Sequence, residues 1–471
     1  MSIAFILILL LIGLLPFLII SSFPELTILF LILFVYLVIF FYRLVLSEKS
    51  MFNLTVFIYY VVFLYIAPVF QIYYDTFPNR QRLNVEYACA NILLSLLFLI
   101  IYSLIHRKLK LGTSLNRFIG SSVYDFEKTT PLFIVFTVAS LFIILVFAKS
   151  LVHEVMLGGE YQEIGQVEST MQYLLIKRFL YFIPFVPFLI LFSKLKKKGN
   201  TFWFLFAVII TLAVALLFKN PFNEKRGLLG SIYLSWLFYY ILLKRSFKIS
   251  TTFIKMSFVL IIIMFLFLYP SVKVLTHLNY SITSMINNFQ EFVNSFSGYL
   301  TDFKYNITSL DFDSWINAHS TLGYINKYRH TWGKQTLTSL LFFVPRSVYK
   351  SKGEGTGGII GSYVIAEYGS WQRQMSNPLY SEAFLDLSLP GLFLYAFFLD
   401  VIGKISAACW KTNNNYLILF SLFLVFYNFY LFRGDFISSL AYLVGYTVAT
   451  VLTPLLLSRS VKLFNVFSSR L

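Results

Sequence analysis

Apolar residues run along this chain in long blocks, without the period-two alternation of half-buried strands or the one-sided stripe of water-facing helices. Twelve blocks approach the roughly 20 residues a helix needs to cross a hydrocarbon core: 3–20, 25–46, 52–70, 86–105, 131–150, 171–192, 201–218, 227–243, 253–270, 381–403, 415–432 and 435–457. They predict an all-α polytopic membrane protein with about 12 transmembrane helices. In lipid every backbone polar group must find a partner inside the protein, and a helix supplies those partners within one segment. The first block has no basic stretch before it and no small-residue cleavage site after it, so it is expected to remain as a span. Only Arg433 and Gly434 separate the last two blocks, which predicts a tight hairpin.

The pattern breaks once, between 271 and 380, giving three regions. Residues 1–270 hold nine spans, 271–380 form a large extracytoplasmic loop or cap, and 381–471 hold three spans and a short cytoplasmic tail. The middle region carries Trp315, Trp332, Trp371 and many tyrosines, too aromatic for a disordered linker. Thr283–Phe296 reads as an amphipathic helix, Asp313–Lys327 as a second helix, and Leu337–Val344 as a short apolar segment dipping into the interface. A cap of short helices is expected.

Composition agrees with the pattern. Of the 471 residues 58% are hydrophobic and 13% charged, against about 25% charged in soluble domains. A water-soluble fold is excluded. The two cysteines, Cys89 and Cys409, give no disulfide framework. Charge changes the picture more: 38 basic residues against 21 acidic ones leave +17. With both termini in the cytoplasm, twenty basic residues fall in cytoplasmic segments, as the positive-inside rule requires. They include Arg43, Lys194–Lys198, Lys404 and Lys411. The other eighteen lie on the outer side, nine in 271–380 and nine at Arg80, Arg82, Lys149, Lys177, Arg178, Lys219, Lys225, Arg226 and Arg433. The spans themselves read as nearly free of charge, and His106 sits in a basic run at the cytoplasmic face.

Two stretches of the outer region invite a chemical reading. In Lys350–Gly358 a glycine run follows Arg346, Lys350 and Lys352, without the spacing of a Walker A loop. It is either a flexible connection or a mobile loop whose N–H groups and cations meet an anionic ligand. Glu382 and Asp386, four residues apart, share one face at the start of the tenth span. They are either a solvated helix end or intramembrane acids kept for function.

Three motifs together resemble a known family: KNPFNEKR at Lys219–Arg226, FVPRSVYKSKGEGTGG continuing to NPLYSEAFLDLSLPG, and FRGD at Phe432–Asp435. With the general plan of spans and one late outer loop, the chain resembles the bacterial O-antigen and capsular polysaccharide polymerases, the Wzy-type oligosaccharide repeat-unit polymerases. The resemblance implies a GT-C-like glycosyltransferase in the bacterial inner membrane. It implies transfer of a growing glycan from undecaprenyl diphosphate onto a new lipid-linked unit at the outer leaflet. It also implies no nucleotide sugar, metal or other cofactor, a chain-length regulator as a further partner, and no role for nucleic acid. Arg226, Arg346 and Arg433 match the arginines on which such enzymes rely.

The physical argument is compatible. A lipid diphosphate brings about two negative charges, and the planar guanidinium fork suits phosphate and stays charged at any working pH. Arg226 and Arg433 sit in short connections that hold them near the membrane boundary, where snorkelling or local pairs with Glu224 and Asp435 are the plainer alternative. Lys225, Arg178, Lys219, Lys350, Lys352, Arg373 and Tyr380 complete the expected substrate-binding set. No D-x-D motif is expected on the outer side and the histidines His277, His319 and His330 are widely spaced, so a metal site is not expected. The general base comes from Glu367, Glu382, Asp386, His319 or Asp435, with Glu382 and His319 foremost by position. The outer aromatics Trp315, Tyr324, Tyr328, Trp332, Tyr363, Trp371 and Tyr380 either stack on sugars or anchor the interface. The main alternative is a flippase for lipid-linked oligosaccharide. An acyltransferase would need a histidine in a channel from the cytoplasm, and a glycan ligase is close in chemistry.

Overall fold

The computed structural model describes residues 3–109, 130–157, 179–198, 202–219, 226–243, 303–345, 347–371, 373, 375–412 and 414–458. The expected span at 253–270 and the expected helix Thr283–Phe296 lie outside them. Among the described residues there are helices and no strand. The protein is an all-α membrane protein: seven helices are long and apolar enough to cross a bilayer. They are α2 (Pro24–Leu46), α3 (Met51–Tyr73), α4 (Val85–Lys108), Thr130–Ala148 within α5 (Thr130–Leu157), α13 (Leu379–Lys411), α14 (Asn415–Arg433) and α15 (Phe436–Ser458). The first helix, α1 (Ile3–Ile19), has 17 residues. Three more apolar helices are shorter: one within Leu180–Leu195, which leads into α6 (Phe185–Lys198), α7 (Phe202–Phe218), and one within α8 (Arg226–Leu243).

The sequence pattern explains how the spans pack. In α2, Leu26, Phe30, Leu33 and Leu37 are buried while Ile28, Ile32, Val35 and Ile39 are exposed. Both sets follow the helical period, so one apolar face meets protein and the other is left for lipid. The most apolar window of α3 is 83% buried, which makes it an interior helix, whereas that of Thr130–Ala148 is only 22% buried. Caps place the ends: Ser50 accepts the Asn53 N–H at the start of α3, and Asn84 accepts the Tyr87 N–H at the start of α4.

The chain divides into two compact units. One comprises Met1–Gly112, Tyr299–Ala407 and Val425–Leu440; the other comprises Thr113–Gly298, Ala408–Leu424 and Ala441–Leu471. The first unit holds the helices of the 303–380 region: α9 (Phe303–Ile307), α10 (Ser314–Tyr328), α11 (Lys334–Leu340) and α12 (Thr356–Tyr368). The helix expected at Asp313–Lys327 is therefore present as α10. It does not lie loosely on a surface: Ser314 to Thr321 are all buried, among them the polar Asn317, His319 and Ser320. Leu337–Val344 forms the second half of α11 and a following turn, with Leu337, Leu340 and Phe343 exposed.

Helix α13 is interrupted. Ser388 takes a strained positive-φ conformation (φ 57°, ψ −143°) and Pro390 follows it, so the regular bonding breaks just past Asp386. Beside this break, Thr331 N–H donates to Leu385 O, Gly333 N–H to Asp386 O, and the His330 ring is 2.9 Å from Phe384 O. The interruption thus pins the 330–336 turn to the start of the helix.

Candidate functional site: buried carboxylates beneath a glycine-rich loop

The first unit brings two of the three motif regions together. Glycines 353, 355, 357 and 358 surround the N-terminus of α12, and FRGD joins α14 to α15. Gly355 packs against the Asp435 carboxyl, which a Cβ there would approach to 3.2 Å. Gly357, whose carbonyl accepts the Met375 N–H, leaves no room for a Cβ against the Met375 carbonyl. The glycine run is therefore a close-packed seam, which decides against a flexible connection.

Under this seam Glu382 is fully buried. Its Oε2 accepts the Phe436 N–H at 2.7 Å, at the start of α15, and the Thr356 hydroxyl and the Asp435 and Asp386 carboxylates face it. Asp435 caps α15 itself, accepting from Ser438 N–H at 2.6 Å and Ser438 Oγ at 3.2 Å. The chain's own acids thus occupy the start of α15, where free N–H groups would favour an external anion, and Asp435 also lies against Gly355 just before α12. The anion-cradle reading of the glycine run finds no support at that point.

Asp386 has a different task. It accepts from Thr331 Oγ1, Gln335 N–H, Thr336 N–H and Thr336 Oγ1 at 2.6 to 2.9 Å. With every lone pair engaged at the start of α11, this carboxylate is a cap, and the solvated-helix-end reading fails for both acids because both are buried.

Arg433 pairs across the fold and not with Asp435, three-dimensional proximity overriding sequence proximity. Its Nη2 donates to Leu310 O at 2.7 Å and lies 3.5 Å from Asp313 and 3.9 Å from Asp311. Asp313 also accepts from Ser376 Oγ at 2.5 Å and Asn317 Nδ2 at 2.9 Å. From Asn317 a buried polar network continues to Gln81 and Ser320. Asp311, Phe312 and Asp313 spell a D-x-D pattern, which corrects the expectation of an outer side without one. Arg433 occupies it, and no group of three or more His, Cys, Asp or Glu able to hold a metal exists among the described residues.

The other expected site residues divide by environment. His319 is buried, with Nε2 2.9 Å from the Asn84 N–H, and burial lowers its pKa to about 4. It is neutral at pH 7, and the nitrogen that could take a proton is engaged, so it serves as a clasp on the start of α4. Tyr380 is buried and donates to Asn91 at 2.8 Å, and Trp315 is buried too, so neither is open to a sugar. Lys352 ties down Phe342 O and Val344 O at 2.7 and 2.9 Å. Arg373 is exposed 3.4 Å from Glu354, Lys350 is exposed, and Glu367 pairs with Lys327. In the second unit Lys219 is buried over the rings of Phe182, Tyr442 and Tyr181 at 5.0, 5.6 and 6.0 Å. Arg226 begins α8; its side chain, together with Lys225, Arg178 and Arg346, lies outside the described residues.

One cluster runs against the sequence reading that the spans are nearly uncharged. His106 Nδ1 is 2.6 Å from Asp400, its Nε2 is 2.8 Å from Glu48, and Lys404 Nζ is 2.6 Å from Asp400. Lys404, counted as a topology lysine, is thus a buried ion-pair partner. The spacing of Asp400 and Lys404, four apart within an apolar run, is the signal that was available.

No family model matches the chain, and neither the curated proteins nor the solved structures give a match.

Proposed function

We propose that this protein is a polysaccharide polymerase: a membrane glycosyltransferase of about 12 spans and GT-C-like plan in the bacterial inner membrane, acting at the outer leaflet. Its substrate is an oligosaccharide repeat unit on undecaprenyl diphosphate. An acceptor hydroxyl attacks the anomeric carbon of the growing glycan, the new glycosidic bond forms, and the bond to the diphosphate breaks. The hydroxyl proton goes to Glu382 in a substrate-bound state that opens the seam above it, and the departing diphosphate is held by arginines, among which Arg226 and Arg346 are the first choice. Arg433, already tied to Leu310, Asp311 and Asp313, is a positioning residue for the FRGD hairpin.

The observation that carries this reading is the meeting of the glycine-rich motif, the NPLYSEAFLDLSLPG motif and FRGD around the buried Glu382 carboxylate. Purified protein in liposomes with lipid diphosphate repeat units should lengthen glycans without nucleotide sugar and in the presence of EDTA. Translocation of those units without elongation would sink the reading. That outcome would favour a flippase, for which the fully buried Asp400 within a span, paired with His106 and Lys404, is the supporting observation.

A further inference from the structure

Away from Glu382, helices α10 and α12 carry tyrosines that no step of the proposed reaction uses. Tyr324 and Tyr328 stand 5.0 Å apart, ring centre to ring centre. Tyr363 meets both edge-on at 89°, at 5.9 and 6.5 Å. The three rings therefore make a corner, with Tyr363 as one wall and the Tyr324–Tyr328 pair as the other. The corner is anchored from below. Tyr324, Tyr363 and Tyr368 pack on the buried Ile360, Val364, Met375 and Leu385. Tyr328 stays 54% exposed. Gly323 keeps the Tyr363 wall in place, because a Cβ there would come within 2.6 Å of the Tyr363 hydroxyl.

Polar groups edge the corner. Asn326 Nδ2, itself exposed, donates to the Tyr87 hydroxyl at 3.1 Å. Lys327 and Glu367 form an ion pair, with the Lys327 ammonium also 5.5 Å above the Tyr328 ring. Burial and the crowding of Tyr368, Glu367, Tyr87 and Tyr328 raise the Tyr363 pKa to about 12, so its hydroxyl keeps its proton and remains a donor. At the corner itself Glu367 answers Lys327, and Arg82 stands off at the Tyr368 side.

We infer that the Tyr324–Tyr328–Tyr363 corner is a binding site for the neutral sugar rings of an oligosaccharide. A pyranose offers an apolar C–H face to an aromatic ring and hydroxyls around its edge, and the corner offers ring faces bordered by an amide, tyrosine hydroxyls and an ion pair. A phosphate would find the Lys327 ammonium already paired with Glu367, and an acyl chain would leave the polar edge unpaired. The choice of ligand rests on the polymerase reading and places the glycan, as distinct from its lipid diphosphate, on α10 and α12.

The test uses the full chain in nanodiscs against an array of lipid-free linear bacterial oligosaccharides. Wild type should bind members of the array, Tyr328→Leu and Tyr324→Leu should bind about tenfold more weakly, and Tyr328→Phe should stay close to wild type. Gly323→Ala, which displaces the Tyr363 wall, should weaken binding with both stacking tyrosines intact. Absence of binding by wild type, or unchanged binding by a folded Tyr328→Leu protein, overturns the inference. The two readings separate cleanly. Glycan binding lost with Tyr328→Leu in a protein that never elongates lipid-linked units supports the corner and removes the polymerase. Elongation with an unchanged KM in Tyr328→Leu does the opposite.

Discussion

Glu382 and Asp400 lie on the same helix, both fully buried, and differ in what faces them. Asp400 is enclosed by partners of opposite charge, with Lys404 at 2.6 Å on one oxygen and the His106 ring at 2.6 Å on the other. Glu48 then answers the far nitrogen of His106, and the Tyr102–Asn53 hydrogen bond lies beside it. Glu382 has one backbone N–H as its hydrogen-bond partner, with the Thr356 hydroxyl nearby and Asp435 and Asp386 as its charged neighbours. Among the described residues no basic side chain pairs with it. A buried carboxylate given counter-charges is part of how helices are held in register; one set beside other carboxylates does nothing for stability that an amide would not do. An acid in such a place is what the proton-transfer role proposed for Glu382 calls for.

Substitutions break this comparison most sharply at Glu382. Glu382→Gln preserves the volume and the acceptor for Phe436 N–H while removing the basic oxygen. Elongation in the liposome assay should fall by about 10²–10⁴-fold with the melting temperature in detergent little changed. Wild-type turnover in this variant would dismiss Glu382 as the base. At the other end Asp400→Ala strands Lys404 and His106 in a buried setting and should cost about 3–5 kcal/mol of stability. The readout is thermal or denaturant unfolding in detergent. If Asp400→Ala melts like wild type, the charge-balanced cluster is not the structural element described here.

The histidines repeat the contrast: His106 lies between the carboxylates of Asp400 and Glu48, whereas His319 is buried among neutral groups. His319 has no acid partner, and burial holds its pKa near 4, below the usual 6.5. Its folded-state value is depressed, so the unfolded chain binds the extra proton first. Stability is whole above pH 6.5 and is lost as pH falls from 6.5 toward 4, by up to roughly 3 kcal/mol. Melting curves across that window should be shallower with pH in His319→Asn than in wild type; parallel curves would remove His319 as the cause. Asp386 is the intermediate case, an acid satisfied by neutral donors alone. Asp386→Ala should cost about 1–3 kcal/mol by orphaning the start of α11 and should alter turnover far less than Glu382→Gln, which paired melting and elongation measurements on the two variants would show.

Much of the architecture could be read along the chain. Apolar blocks located the spans because lipid leaves the backbone only its own bonds, and α10 and the α14–α15 hairpin arose where local pattern placed them. The i, i+4 pairs Glu382–Asp386 and Asp400–Lys404 were also visible, but their meanings were not. Which acid caps a helix, which is neutralised and which is left beside another acid depends on groups far away in sequence: Phe436 for Glu382, Thr331 and Thr336 for Asp386, His106 for Asp400. Arg433 shows the same limit, its neighbour Asp435 turning to cap α15 while Asp311 and Asp313 approach it from more than a hundred residues away. The sequence by itself determined that the chain is helical and membrane-embedded, since those properties sum over many residues and need no particular partner. Only the tertiary structure decided the role of each polar side chain, because a buried charge takes its character from the few atoms within hydrogen-bond reach of it.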